Sequence, residues 1–282
     1  MLKVFGFVRR NEKLSHDDYR AAHIGHHNSY GRRLPNIRGY ILNVRANQPI
    51  EESLGPIASA ITRGEPADFD ELWDGWGQLM FDNLDDYLSA RSPARDRAGP
   101  SGLEEDPKVA EVGGDGGYLY TGSPFQFHID EHVAKPVLRP ERKIFKLAQF
   151  SKRAEGLSPE EFRAYWTGRY AALQARLPGL HGHIINFRTP LDVRTGFFDE
   201  GAECFTPEGT ALREHFFSGF DGIAELWFDE ASEFANGRAD ADLAAELDAM
   251  EAELFDRVWY REVDETVAVN PNRLPAPSFH YR

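Results

Sequence analysis

The chain repeats itself. The segment KLSHDDYRAAHIGHHNSYGRRLPNIRGYILNVR, starting at Lys13, returns as GLSPEEFRAYWTGRYAALQARLPGLHGHIINFR, starting at Gly156. The offset of 143 residues (156 less 13) holds without a gap from Lys3/Lys146 to Arg45/Arg188. It carries Ser15 onto Ser158, Gly25 onto Gly168, Leu34-Pro35 onto Leu177-Pro178 and Asn43 onto Asn186. A second block, WDGWGQLMFD (73–82), returns as FDGIAELWFD (220–229), and IDEHVA (129–134) returns as VDETVA (263–268). A tandem duplication of about half the chain narrows the possible folds, because each copy must form the same supersecondary unit.

Each copy opens on an alternating apolar segment, Lys3 to Val8 or Ile144 to Phe150, which predicts a strand. A helix follows, begun by Ser15 with Asp18 three residues on, or by Ser158-Pro159-Glu160-Glu161, where proline and a capping-box glutamate strengthen the signal. Leu34-Pro35 and Leu177-Pro178 end these helices, because the residue before proline is pushed out of helical geometry. Strands are predicted at Gly39 to Val44 and Gly182 to Phe187, then in the segments ending at Asp82 and Asp229. A second helix begins near Leu84 or Ala231, and a last strand runs over Phe125 to Val133 or Val258 to Val269. The order β-α-β-β-α-β is ferredoxin-like. Such a unit covers one face of its sheet with helices and leaves the other to be buried. The prediction is an α+β fold in which two repeats, 1–137 and 138–282, pack sheet to sheet as an α/β barrel within one chain. AKPVLRPERK (134–143), with two prolines, is the expected linker.

Composition bounds the function. A formal net charge of −14 and pI near 5.2 argue against nucleic acid or an anionic membrane as partner. The single cysteine, Cys204, allows neither an internal disulfide nor a cysteine zinc cluster. No apolar run approaches membrane-spanning length, and the N-terminus is charged too soon for a signal peptide, so the expected location is cytoplasmic. Without GxGxxG, Walker or G-x-S-x-G patterns, neither nucleotide chemistry nor a serine-hydrolase elbow is expected.

LSHDDYRAAHIGHHNSYGRRLPNIRGY and DGWGQLMFDNLDDYL, with their second copies, resemble the EthD family of dimeric α/β-barrel proteins. The second copy is the nearer match, through Phe162, Trp166, Leu177-Pro178-Gly179-Leu180 and Asp221-Gly222-Ile223-Ala224-Glu225-Leu226-Trp227-Phe228-Asp229. The resemblance implies the barrel fold. It also implies chemistry among enzymes of ether and aromatic degradation, polyketide tailoring, isomerisation, cofactor-free oxygenation or haem catalysis. The family histidine falls on His27 in the first copy and on Tyr170 in the second. The family tryptophan falls on Trp166 in the second copy and on His23 in the first.

On a helix, Tyr19, His23, His27, Tyr30 and Leu34 share one broad face, and their counterparts Phe162, Trp166, Tyr170, Leu173 and Leu177 form a core-facing stripe. Two histidines therefore stand where the sister copy is aromatic, while His26 is turned about 100° away from His27. A buried imidazole without a partner costs about 1–3 kcal/mol, so these rings need partners or a wet pocket. The i, i+4 spacing of His23 and His27 would suit a metal, but no adjacent glutamate or third ligand is evident and no metal is expected. The leading expectation is a cofactor-independent lyase or isomerase acting on a small hydrophobic or aromatic-derived carbonyl compound. His27 would be its general acid or base, assisted by His23 and Tyr30. Tyr19, Trp73, Trp76, His128, Trp166, Tyr170 and His183 are the candidate substrate contacts. A haem- or O2-dependent oxidoreductase and a non-catalytic binding protein are the alternatives, and a homodimer is compatible with either. Asp74-Gly75 and Asp221-Gly222 read as turns into strands. The long connections 46–72 and 189–218 exceed the usual length and are lid candidates.

Overall fold

A computed structural model of the chain describes residues 1–90, 116–121, 125–139, 142–198 and 200–271. Eight strands form a closed antiparallel barrel: β1 (Leu2–Val8), β2 (Gly39–Arg45), β3 (Gly75–Phe81), β4 (Phe125–Lys135), β5 (Phe145–Arg153), β6 (Gly182–Arg188), β7 (Gly222–Phe228) and β8 (Phe255–Val269). Their order around the barrel is β1-β3-β2-β8-β5-β7-β6-β4. Moving four places along this order carries β1 onto β5, β3 onto β7, β2 onto β6 and β8 onto β4, so the barrel axis is the pseudo-twofold of the duplication. The long last strand of each half pairs with the second strand of the other, β4 with β6 and β8 with β2. No open edge remains at the joint, which removes a route to aggregation.

The expected elements are present with small shifts at their ends. Ser15 caps the helix His16–Ala21 by accepting from the Asp18 amide, and Ser158 and Glu161 complete a reciprocal capping box on Pro159–Tyr165. Each helix then passes through a π-helical turn at the same place in the repeat, Ala22–His27 and Trp166–Tyr170. The repeat pattern does not signal this widening. Nor does it signal a further helix, Ala241–Leu254. Asp74 and Asp221 are anchors as well as turn residues. Asp74 accepts from the Arg10 amide at 2.9 Å and Asp221 from the Arg153 amide at 3.0 Å, pinning equivalent strand ends.

The long connections are packed structure. Ile50–Leu54 and Ile57–Ile61 are short helices whose Ile50, Leu54, Ala58 and Ile61 enter the core of the second half. The connection 189–218 contains the helix Pro207–Ser218, whose Phe216 and Phe217 enter the cluster inside the barrel. Apolar residues in these segments make burial favourable, so neither is built as an open lid.

The inward-facing residues, at alternate strand positions, form two layers along the barrel. One is aromatic, where Phe7, Trp73, Trp76, Phe127, Phe150 and Trp259 from both halves meet. The other is charged. Lys146 bonds Asn43 across the halves at 2.6 Å, and its mate Lys3 bonds Asn186 at 3.0 Å. Glu225 accepts from the amide of its counterpart Gln78 and pairs with Lys146 at 2.6 Å. Burial alone would raise the Glu225 carboxyl, but Lys146 and Lys3 outweigh it and hold it at about 2. Among the described residues, no helix is long and apolar enough to cross a membrane.

Candidate functional site

The repeat-one helix lies outside the barrel, against the face of the sheet turned away from the interior. It brings three of the expected residues together. Tyr19 stacks on His23 at 5.2 Å, and His23 stacks on His27 at 5.4 Å with the planes 9° apart. Tyr19 and His23 are buried, His27 is half-buried, and His26 is exposed, as the helical period requires. The side chain of Tyr30 lies outside the described residues.

A residue that sequence reasoning missed completes the group. Tyr120 stands edge-on to both imidazoles, 5.8 Å from His23 and 5.5 Å from His27, and its hydroxyl lies 2.8 Å from His23 Nδ1. Its backbone is fastened to the start of the chain, where the Thr121 amide donates to Arg9 and the Asn11 amide to Leu119. Tyr120 belongs to no periodic segment and no repeat match, so the sequence carries no signal for it.

Burial, followed by the nearness of His27, holds the His23 pKa well below its ordinary value. Its ring is therefore neutral at physiological pH. With Nδ1 bonded to Tyr120, the other nitrogen, Nε2, is buried with no hydrogen-bond partner. The Tyr19 hydroxyl is likewise buried and unpartnered, and burial, reinforced by Asp74, pushes its pKa well above the usual tyrosine value. The buried ring stays neutral and, by stacking, fixes the orientation of the more open imidazole beside it.

The other predicted contacts are distributed elsewhere. Trp73 and Trp76 lie in the aromatic layer inside the barrel. His128 bonds Thr189 of the other half through Nδ1 at 2.7 Å. Trp166 and Tyr170 pack in the second half, where the Tyr170 hydroxyl donates to Glu251 at 2.6 Å and Arg238 also holds that carboxylate. His183 is buried in the second half, and burial lowers its pKa to about 3. His181, Asp229 and Glu233 come close enough to hold a cation. However, Arg142 already pairs with Asp229, and the Glu233 carboxylate accepts from the amide of Asp229, a structural arrangement.

Residues 154–257 match the EthD domain. The second half carries an EthD domain. The match covers one repeat, and the first repeat supplies the same elements around the barrel. No curated protein matches the sequence. Among solved structures, the chain is similar to a putative monooxygenase from Fusobacterium nucleatum subsp. nucleatum, with TM-score 0.52 and 7% identity over 96% of this chain and 95% of that one. It is equally similar to an anthrone oxidase-like protein, with TM-score 0.52 and 9% identity over 98% of this chain and 96% of that one. At such identities these likenesses establish the fold alone, a closed α/β barrel.

Proposed function

We propose that the chain is an oxidoreductase that uses dioxygen to oxidise an aromatic substrate, with His27 transferring the proton and His23 and Tyr120 holding the base in place. The observation that carries this reading is the parallel imidazole pair, one ring buried and neutral with an unpartnered nitrogen. The oxidative names of the two proteins that share the fold over nearly their whole length support it.

The reading corrects the expectation of a lyase or isomerase. The histidine could not separate these classes, because removing a proton beside a ring or carbonyl is the first step of all of them. The outcome is decided by what the resulting anion meets. An anion that regains the proton at another atom is an isomerisation product, whereas one that meets dioxygen is oxidised. The fold's relatives, a putative monooxygenase and an anthrone oxidase-like protein, favour the second course.

In this scheme His27 removes a proton from a phenol or an activated ring methylene. The electron-rich anion gives an electron to dioxygen and the two combine at carbon, the proton on His27 is returned to the peroxide oxygen, and loss of water from the resulting hydroperoxide leaves a carbonyl. Proton transfer by one positioned side chain contributes about 10²–10⁴-fold. The test is oxygen uptake with anthrone and hydroxylated aromatics, comparing the native chain with His27→Ala. The expected result is uptake reduced by about that factor with the melting temperature retained. Undiminished uptake in the variant would remove His27 from the mechanism. A Soret band in the purified protein would replace the reading with haem chemistry.

A further inference from the structure

The duplication creates two equivalent clefts at the same end of the barrel, and their charges differ. The first is about 300 Å³ and is lined by Arg45 and Arg261 together with Glu51, Glu65, Asp70 and Glu262. Its cations are matched: Arg261 pairs with Asp70 and Glu65, and Arg45 with Asp70 and Asp74. The second cleft is about 450 Å³ and starts from Arg188, the counterpart of Arg45. Its wall adds Arg194 and Arg213, with Asp192 and Glu214 as the lining carboxylates.

Arg194 is paired, whereas Arg188 and Arg213 each keep a donor without a partner. Asp192 is bound to Arg194 at 3.1 Å, and Arg194 also donates to the Cys204 carbonyl. Asp221 stands 4.0 Å from Arg188, at the limit of an ion pair, and Arg188 donates one Nη2 bond to the Phe217 carbonyl. Arg213 makes no ion pair among the described residues, and its Nη1 is buried without a partner, as is Nε of Arg188. Burial, with Arg194 and Arg188 nearby, pulls the Arg213 pKa down to about 10. Three guanidinium groups against two carboxylates leave the lining with an excess of positive charge, which an incoming anion offsets.

The cleft also has an apolar wall. Phe127 and Phe217 line it, and the guanidinium groups of Arg188 and Arg213 lie 4.6 and 4.4 Å from the Phe217 ring. Held against that ring, the two planar groups are ordered before any ligand arrives, which suits two-pronged contact with a carboxylate. The volume falls in the range of small-molecule sites.

We infer that the cleft formed by Arg188, Arg194, Arg213, Phe127 and Phe217 binds a small organic carboxylate with an apolar body. The carboxylate bonds Arg213 and Arg188, and the body lies along the phenylalanine wall. The site is separate from the histidine pair, so its occupancy is measurable whatever the fate of the proposed oxidation.

Calorimetric titration of the full chain with benzoate, benzamide and inorganic phosphate at low ionic strength tests it. The expected result is that benzoate binds and that benzamide and phosphate bind at least tenfold more weakly. Arg213→Gln should weaken benzoate at least tenfold and Arg213→Lys by less, with both variants melting near the native temperature. Equal binding of benzoate and benzamide would sink the proposal by removing the charge requirement. Phosphate as tight as benzoate would sink the organic carboxylate. So would no benzoate heat, or full benzoate affinity in a folded Arg213→Gln.

Discussion

The two repeat helices begin from the same plan and end in opposite chemical states. In the second half, Phe162, Trp166 and Tyr170 pack against Phe187 and Phe255; the Tyr170 hydroxyl donates to Glu251, and the Trp166 indole N–H is buried without a partner. In the first half the same positions are Tyr19, His23 and His27, and both the Tyr19 hydroxyl and the His23 Nε2 are buried without partners. One helix is a closed wedge of core. The other keeps polar capacity in reserve, which is a cost to stability that function can use. The clefts diverge in the reverse direction: the cations of the first are matched, whereas Arg213 of the second makes no ion pair among the described residues. Duplication has let each half keep the fold while only one copy of each site departs from structural balance.

The largest predicted effect concerns the charged layer both halves share. Lys146 is fully buried and touches Asn43, Glu225 and Glu265, whereas Lys3 shares its charge with Glu131, which is partly open to solvent. Lys146→Met should therefore cost about 3–5 kcal/mol in urea unfolding, the penalty for stranding buried carboxylates. Lys3→Met should cost less. Equal losses would show that the two lysines are interchangeable despite their different surroundings.

Next come the two tyrosines. Tyr170→Phe deprives buried Glu251 of a donor and should destabilise by about 1–3 kcal/mol. Tyr19→Phe removes a hydroxyl that has no partner and should leave stability unchanged or slightly raised. If Tyr19→Phe proved the more damaging of the two, the contrast between a satisfied and an unsatisfied tyrosine would fail.

Acid should act on the histidines. The folded-state pKa of His23 lies below its unfolded value, so protons bind more readily to the unfolded chain. The stability contribution is complete above about pH 6.5 and is lost as pH falls below it, at up to about 1.4 kcal/mol per unit. His183, lowered to about 3, adds a loss of the same sign over the same window. His23→Phe, which restores the aromatic character of Trp166, should make stability less steep between pH 6.5 and 5 in chemical denaturation. An unchanged slope would place the acid sensitivity elsewhere, with His183 the next residue to replace.

Much of the fold could be read because duplication makes each prediction twice. Ser15 and Ser158, or Gly39 and Gly182, announce the same element independently, and alternation assigns each strand a helix-facing and an interior side. The charged layer could have been found the same way, since Lys3/Lys146 and Asn43/Asn186 are retained at strand positions that would otherwise be apolar. The candidate site was legible only where the copies disagree, at Tyr19, His23 and His27. Tyr120 has no counterpart in the repeat and reaches the pair through a backbone contact distant in sequence, so no local pattern reveals it. His128 and His183 are ordinary strand residues in sequence, and only the barrel's closure shows which neighbours they meet.

The smallest predicted difference lies at the helix starts. Ser15 accepts one bond, from the Asp18 amide at 3.1 Å, and its hydroxyl is also engaged by the Asp18 carboxylate at 2.7 Å. Ser158 accepts from the Glu161 amide at 3.2 Å while its own amide donates to that glutamate at 2.9 Å, and Pro159 fixes the first helical residue. Replacing either serine by alanine removes an acceptor worth about 1 kcal/mol. In Ser158→Ala the amide bond to Glu161 and the proline both survive, so the second helix keeps part of its start signal. In Ser15→Ala little is left to hold the first turn. The weaker cap should therefore be the more costly one to lose, by a few tenths of a kcal/mol in thermal unfolding. A larger loss at Ser158 would mean that the two halves of a capping box are cooperative, each bond depending on the other.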